Sequence, residues 1–157
     1  MNSPIVIVKA RALALGVLGA AAVAHAASGP ATPGATFLPA AQVAAAFAKG
    51  MPLLETEGYK IHASRREAPG MAEVHTTDTD IIYVLDGTAT VITGGTVVDG
   101  KTIARDEIRG AAITGGKTQP LAKGDVFVVP NGVPHQFTET TNPFLYYVVK
   151  ATAGGGR

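Results

Sequence analysis

Short segments rich in β-branched and aromatic residues, separated by Gly, Pro and Asp turns, follow one another through most of the chain. Such residues favour extended strands, and the turn residues end them. The candidate strands are Tyr59–Arg65, Glu73–His75, Ile81–Asp86, Thr88–Thr93, Ile108–Ile113, Val126–Val129, His135–Thr138 and Phe144–Lys150. This spacing predicts an all-β fold, an antiparallel sandwich or a small barrel whose interior can hold a small ligand.

Residues 1–26 have the pattern of a secretory signal peptide. Lys9 and Arg11 precede an apolar run that ends in the small-residue cleavage pattern Ala24-His25-Ala26. The run is too short for a membrane-spanning helix, which needs about 20 residues. We therefore predict cleavage after Ala26 and a periplasmic or secreted protein without a membrane segment. An uncleaved anchor that also uses Ile5 to Val8 is the alternative.

The remainder is predicted to form one domain. Residues 27–36 are rich in Gly, Pro and small side chains and predict a flexible lead-in. Pro39 to Lys49 predicts a short helix that ends at Gly50 and packs on the outside of the fold. The folded domain is predicted over residues 37–150, with an insertion containing a long hairpin at 94–123, and residues 151–157 are predicted to be disordered.

Charge and cysteine content exclude several functions. The full chain has a formal net charge of +1, which becomes −1 when the predicted leader removes Lys9 and Arg11. Bulk charge therefore attracts neither nucleic acid nor an anionic membrane. The chain contains no cysteine, so disulfides and thiolate ligands are excluded.

Two stretches carry the candidate chemistry. In EVHTTDTDIIYVLDG, Glu73 and His75 are two residues apart and share one face of an extended chain, and Asp80 and Gly87 follow. In GDVFVVPNGVPHQFTE, Gly124 begins a strand, Pro130 and Gly132 shape a turn, and His135 begins the next strand.

These two stretches resemble the paired motifs of the cupin superfamily. The second motif is matched at Gly124, Pro130, Gly132 and His135, with Glu139 in place of its final Asn. The first motif is matched in spacing, but Glu73 stands for its first His and Asp80 for its Glu. With the strand pattern, the resemblance covers residues from about 59 to 150.

The resemblance implies a double-stranded β-helix, or jelly-roll barrel, with one divalent metal ion near its mouth. Carried over by position, the ligands are Glu73, His75, Asp80 and His135. Two imidazoles and two carboxylates suit Fe, Mn, Zn or Ni, and ligand type alone does not select among them. Asp80 is one methylene shorter than the Glu of the family pattern, so Asp78 is an alternative ligand. A polar barrel mouth without a metal is the competing interpretation.

Two further residues are candidates for acid–base catalysis beside the metal, His62 and Glu139. His62 lies in KIHASRR, where Lys60, His62, Ser64 and Arg66 share one face of a predicted strand. His62 is either a third imidazole or proton donor near the metal, or part of the exposed face of an outer strand.

Arg65, Tyr83 and Phe137 are candidates for substrate contact. Arg65 sits among apolar neighbours on the other face of the same strand, so it either projects into the barrel and binds a substrate carboxylate or pairs with Glu67 or Glu107 at the surface. Arg109 has the same two interpretations. Tyr83 and Phe137 are predicted to line the barrel or its core.

The resemblance implies an exported, metal-dependent enzyme acting on a small organic molecule, with a dioxygenase favoured over an isomerase or decarboxylase. The alternative is a non-catalytic module that binds a small ligand and has lost or altered its metal site. A structural oligomer is a third hypothesis, since cupins often form homodimers through edge strands.

Overall fold

The computed structural model describes residues 34–153. The predicted signal peptide, most of the lead-in and the last four residues lie outside the described residues. Helix α1 spans Ala40–Lys49. The strands are β1 (Pro52–Glu55), β2 (Tyr59–Arg66), β3 (Ala72–His75), β4 (Asp78–Asp86), β5 (Thr88–Thr93), β6 (Thr96–Val98), β7 (Lys101–Ala104), β8 (Glu107–Gly110), β9 (Ala112–Thr114), β10 (Lys117–Ala122), β11 (Val126–Val129), β12 (His135–Thr140) and β13 (Phe144–Thr152).

The strands form two facing antiparallel sheets. One sheet has five strands in the order β1-β2-β13-β4-β11, and the other has six in the order β10-β5-β12-β3-β8-β7. Strands β6 and β9 form a separate two-stranded sheet. Apart from the hairpins β1–β2 and β7–β8, neighbours in the two large sheets are not consecutive in sequence, as expected of a jelly roll. The predicted all-β jelly-roll fold is confirmed.

The main core lies between the two large sheets. Its buried side chains alternate along the strands with outward-facing ones, as the period of two in an extended chain requires. Phe137, Phe144 and Tyr146 form an aromatic group with ring centroids 5.2 to 5.8 Å apart. The whole cluster is Ile82, Val84, Ala89, Val91, Leu121, Phe137, Phe144, Tyr146 and Val148.

Helix α1 covers part of the outer face of the five-stranded sheet. Its last turn carries Lys49, and Gly50 closes it with a φ of 66°. Ala46 is buried against Leu53 and Ala63, and Phe47 meets Tyr147 edge to face with centroids 5.0 Å apart. The helix therefore packs on the outside of the fold, as the sequence predicts. Within the described residues, no helix is long and apolar enough to cross a membrane.

The segment between β5 and β11 is a set of nested hairpins rather than a loose insertion. β5 pairs with β10, β6 with β9, and β7 with β8. The predicted strand over Ile108–Ile113 is therefore two strands, because the chain leaves one sheet for another at Gly110. A Cβ on Gly110 would lie 2.2 Å from a methyl of Val97, so only glycine allows this crossing. The hairpins bring β8 beside β3, at the edge of the candidate site.

We expect Phe144→Ala to lower the free energy of unfolding by about 3–5 kcal/mol, because it empties a fully buried site in the aromatic group. Urea denaturation followed by circular dichroism would measure the change. Phe37→Ala is the matched control, since the Phe37 side chain is 84% exposed and its loss should change stability by about 0.5 kcal/mol or less. Equal effects of the two substitutions would contradict this description of the core.

Candidate metal centre

A cavity of about 420 Å³ opens between the two sheets at one end of the barrel. Inward-facing side chains of six strands line it, and those near its mouth are mostly charged or polar. The lining residues are His62, Ser64, Arg66, Glu73, His75, Asp80, Ile82, Glu107, Arg109, His135, Phe137, Tyr146, Val148 and Lys150. This volume suits a small organic molecule.

Strand register places the sequence-predicted ligands in this cavity. Glu73 on β3 lies opposite His135 on β12, and His75 follows Glu73 on the same face. The turn before His135 is fixed by Gly132, which has a φ of 77° and donates its backbone N–H to the carbonyl of His75 at 2.8 Å. The second motif is thus tied directly to His75 of the first.

Four donor atoms converge at this point. His75 Nε2 lies 3.6 Å from Glu73 Oε2 and 3.5 Å from Asp80 Oδ2. His135 Nε2 lies 4.0 and 3.9 Å from the same two oxygens. Among the described residues, Glu73, His75 and His135 form a cluster whose ligand atoms all lie within 4.8 Å of one another.

These separations fit a shared metal ion better than they fit hydrogen bonds. Two ligand atoms that are each about 2.0–2.2 Å from one ion lie roughly 3–4 Å apart. His75 Nε2 is buried and has no hydrogen-bond partner among residues 34–153. Because a buried polar atom without a partner is costly, the residues present fit a divalent cation at their centre.

Burial favours the neutral form of both His75 and His135, which is the form that binds a metal. Burial is the main cause that lowers the pKa of His75, and the charge of Lys150 lowers it further. Burial also lowers the pKa of His135, against the opposing charges of Glu73 and Asp80. Metal ligation requires the neutral imidazole, so these shifts keep both lone pairs available at neutral pH.

Glu73 is a buried carboxylate whose charge is compensated by two arginines. Arg66 Nη2 lies 3.2 Å and Arg109 Nη1 2.7 Å from the same oxygen, Oε1. Arg109 stands directly opposite Glu73 in the register of β8 with β3 and also pairs with Glu107. Burial alone would raise the pKa of Glu73, but the two guanidinium charges outweigh it and hold that pKa below its ordinary value. Glu73 is therefore ionised and held through Oε1, with Oε2 turned toward the histidines.

Asp80 is compensated in a different way. Lys150 lies opposite Asp80 in the register of β13 with β4. Its ammonium group donates to both carboxylate oxygens at 2.8 Å. Two residues earlier on the same face, Asp78 accepts from Lys60 and from Thr152, both at 2.8 Å. The alternative ligand Asp78 is thus engaged with these partners, and it is not among the residues that line the cavity.

Arg66 also organises the apolar side of the cavity. Its Nε donates to the hydroxyl of Tyr146 at 3.0 Å, and its guanidinium carbon lies 4.4 Å from the centroid of the Phe137 ring. Burial raises the pKa of Tyr146, so the hydroxyl remains protonated and neutral. Phe137, predicted to contact substrate, therefore borders the cavity.

His62 also reaches the cavity wall. It shares an inward face with Ser64 and Arg66, and its Nε2 lies 3.1 Å from Glu55 Oε1. The interpretation of this strand face as solvent-exposed is therefore wrong.

The structure does not bring the other three predicted site residues to the cavity. Arg65 faces away from it and pairs with Glu67 at 3.0 Å, one of the two partners expected of a surface role. Tyr83 lies on the outer face of β4 and is 46% exposed. Glu139 accepts from Thr90 at 2.8 Å and lines a separate groove that shares no residue with the cavity. Alternation of side chains along the strand turns Arg65 and Tyr83 away from the histidines. Glu139 has the parity of His135 and Phe137, but the register shift between Phe137 and Glu139 turns it outward.

Sequence reasoning missed Arg66 and Lys150 as residues of the site. The alternation of side chains along the strand predicted that Arg66 and His62 share one face. It did not predict that this charged face points into the cavity. Lys150 ends the apolar strand predicted at Phe144–Lys150, and only the pairing of β13 with β4 brings it to Asp80. Neither residue belongs to the motifs that carry the family resemblance.

Arg65 and Arg66 are adjacent on β2 and face opposite sides of the sheet, so their substitutions can be compared directly. We expect Arg66→Leu to lower the free energy of unfolding by about 2–3 kcal/mol, because it leaves buried Glu73 with one cation fewer and Tyr146 without its donor. Arg65→Leu should cost about 0.5 kcal/mol, since it breaks an ion pair whose partner is exposed. Chemical denaturation of both variants would test this, and a larger loss in Arg65→Leu would reverse the assigned faces of β2.

The chain is similar to known proteins in sequence and in fold. A sequence model of the family described as Cupin matches residues 28–156. A search of curated proteins finds no match. Among solved structures, hydroquinone 1,2-dioxygenase from Sphingomonas sp. TTNP3 with 4-hydroxybenzoate bound is 17% identical, with 68% of this chain and 66% of that chain covered and a TM-score of 0.49.

Two other solved structures are similar at the same level. KdgF from a Halomonas species is 18% identical, with 64% of this chain and 76% of that chain covered and a TM-score of 0.47. A conserved protein with a double-stranded β-helix domain from Klebsiella pneumoniae is 20% identical, with 69% and 83% covered and a TM-score of 0.46. The family match spans most of this chain, including both motifs and every residue of the metal cluster. The chain belongs to the cupin family.

Proposed function

We propose that this protein is a metal-dependent cupin enzyme that acts on a small organic molecule, with dioxygenase chemistry as the reaction class best supported. The observation that carries the proposal is the meeting of Glu73, His75 and His135 around one point in the cavity. Two imidazoles and one carboxylate are the donor set of non-haem iron oxygenases. Manganese, zinc and nickel accept the same donors, so the metal is one divalent ion among Fe, Mn, Zn and Ni.

The protein's own groups would prepare the site before a metal arrives. His75 and His135 present neutral nitrogens, and Glu73 presents Oε2 because Arg66 and Arg109 occupy Oε1. Hydrogen bonds of this kind, one step removed from the metal, orient ligands and typically change affinity by about 10–100-fold when removed. A bound divalent ion would supply Lewis-acid chemistry and, as iron, one-electron redox chemistry.

The cavity walls would bind and orient the substrate. Phe137, Ile82 and Val148 give an apolar side, and the hydroxyls of Ser64 and Tyr146 give a polar one. His62 is the acid–base candidate, since it borders the cavity and its Nε2 lies 3.1 Å from Glu55 Oε1, a contact that orients the ring. The substrate class that fits is a small organic molecule with an apolar part for Phe137, Ile82 and Val148 and with polar groups for the remaining lining.

A second function, a non-catalytic module that binds a small ligand, is favoured by one observation. Arg66, Arg109 and Lys150 already compensate the buried carboxylates, so charge balance does not require a metal. Such a module would bind its ligand in the metal-free state and raise the unfolding temperature when it does so.

Export is also part of the proposal, with the periplasm or the exterior of the cell as the location. Its support is the sequence pattern of residues 1–26, a basic start, an apolar run and a small-residue cleavage pattern. Assembly as a homodimer remains a prediction from the family resemblance.

Metal analysis of the purified protein tests the main proposal. We expect about one equivalent of Fe, Mn, Zn or Ni per chain, and a loss of roughly nine-tenths of it in His135→Ala, which removes a buried ligand. His62→Ala is the control and should retain the metal, because His62 lies outside the cluster. Unchanged metal content in His135→Ala would contradict the proposed centre, and ligand-induced stabilisation of metal-free protein would favour the binding module.

A further inference from the structure

We propose that Lys150 keeps Asp80 out of the metal's ligand set, so that the ion is held by Glu73, His75 and His135 alone. The inference rests on the proposed metal centre and departs from the four-ligand set that the motif positions imply. Lys150 would thereby determine how many coordination positions stay open for substrate.

Distance alone does not separate the two carboxylates. Asp80 Oδ2 lies as near the imidazole nitrogens as Glu73 Oε2 does, within 3.5 to 4.0 Å in every case. Both groups are buried, with Glu73 8% and Asp80 4% exposed. The difference therefore lies in what else each carboxylate binds.

Glu73 keeps one oxygen free, whereas Asp80 keeps none. Both arginines donate to Oε1 of Glu73, and Oε2 has no hydrogen bond within the described chain. The ammonium of Lys150 donates to both oxygens of Asp80 at 2.8 Å. A metal ion taking Oδ2 would have to compete with one of these charge-assisted hydrogen bonds, which are among the strongest in proteins, for the electron density of that oxygen.

Electrostatics acts in the same direction. A cation that approached Asp80 closely would also approach the Lys150 ammonium, and like charges repel strongly in a partly buried site. The guanidinium groups on Glu73 lie on the side of Oε1 and leave Oε2 facing the histidines. Lysine is a compact point charge and is fixed by its place opposite Asp80 on the adjacent strand.

The consequence concerns the open positions of the metal. Three protein ligands leave more of the coordination sphere free than four do, and oxygen-dependent iron sites use such open positions. Asp80 would remain beside the ion as a charge held by Lys150, without a bond to it. Lys150 is thus a positioning residue that acts through Asp80.

Cobalt(II) titration of the full chain, followed by visible absorption and calorimetry, tests this proposal. We expect Asp80→Asn to leave the cobalt spectrum unchanged and to weaken binding by no more than about tenfold, because it removes a nearby charge and not a ligand, while Glu73→Gln weakens binding by about 100-fold. Lys150→Met should tighten binding by about tenfold and alter the spectrum, because Asp80 becomes a ligand. The double variant Lys150→Met/Asp80→Asn should lose that gain, and Lys150→Arg should behave as the wild type.

The outcomes separate the two proposals. Failure of the wild type to bind cobalt would overturn the proposed metal centre. Cobalt binding that Asp80→Asn weakens as much as Glu73→Gln does would overturn the role of Lys150 alone. Circular dichroism of each metal-free variant confirms that it is folded, and the metal-induced rise in unfolding temperature, expected to be larger in Lys150→Met than in the wild type, gives an independent measurement.

Discussion

Glu73 carries a buried negative charge in the cavity, and side chains from three other strands lie against it. His135 lies opposite it on one neighbouring strand and Arg109 on the other, and Arg66 reaches it from the facing sheet. An isolated carboxylate in such a place would cost several kcal/mol, so its burial depends on these partners. Strand register fixes His135 and Arg109, and the packing of the two sheets fixes Arg66, so the site and the fold depend on the same contacts.

Compensation of each buried charge by a nearby opposite charge also explains how one cavity holds so many charged groups. Asp80 and Lys150 form a second compensated pair across β4 and β13, and Lys60 compensates Asp78 near the mouth. Acidic and basic side chains therefore balance locally, while the two histidines remain neutral through burial. A cavity of this kind is polar without a large net field, which fits a substrate with few charges.

Local pattern was sufficient wherever a residue's role depends on its immediate neighbours. The alternation of strand formers and turns predicted the all-β fold, and the helix with its glycine stop followed from composition. The resemblance to the cupin motifs implied that Glu73, His75, Asp80 and His135 share one site. The sequence pattern did not identify the cavity residue of β2. Arg65 was a candidate for substrate contact in the barrel, but its neighbour Arg66 is the residue that lines the cavity. Alternation identifies which residues share a face, but it does not say which face is buried when the buried face is charged.

The sequence by itself determined the family, the all-β class and the donor atoms that could bind a metal, because these depend on residue types and on short spacings along the chain. Only the tertiary structure decided which charges meet. Arg66, Arg109 and Lys150 reach the site from strands far apart in the chain, through registers that no local pattern records. The physical reason is that charge compensation acts through space: Lys150 and Asp80 are 70 positions apart in sequence and 2.8 Å apart in the folded protein.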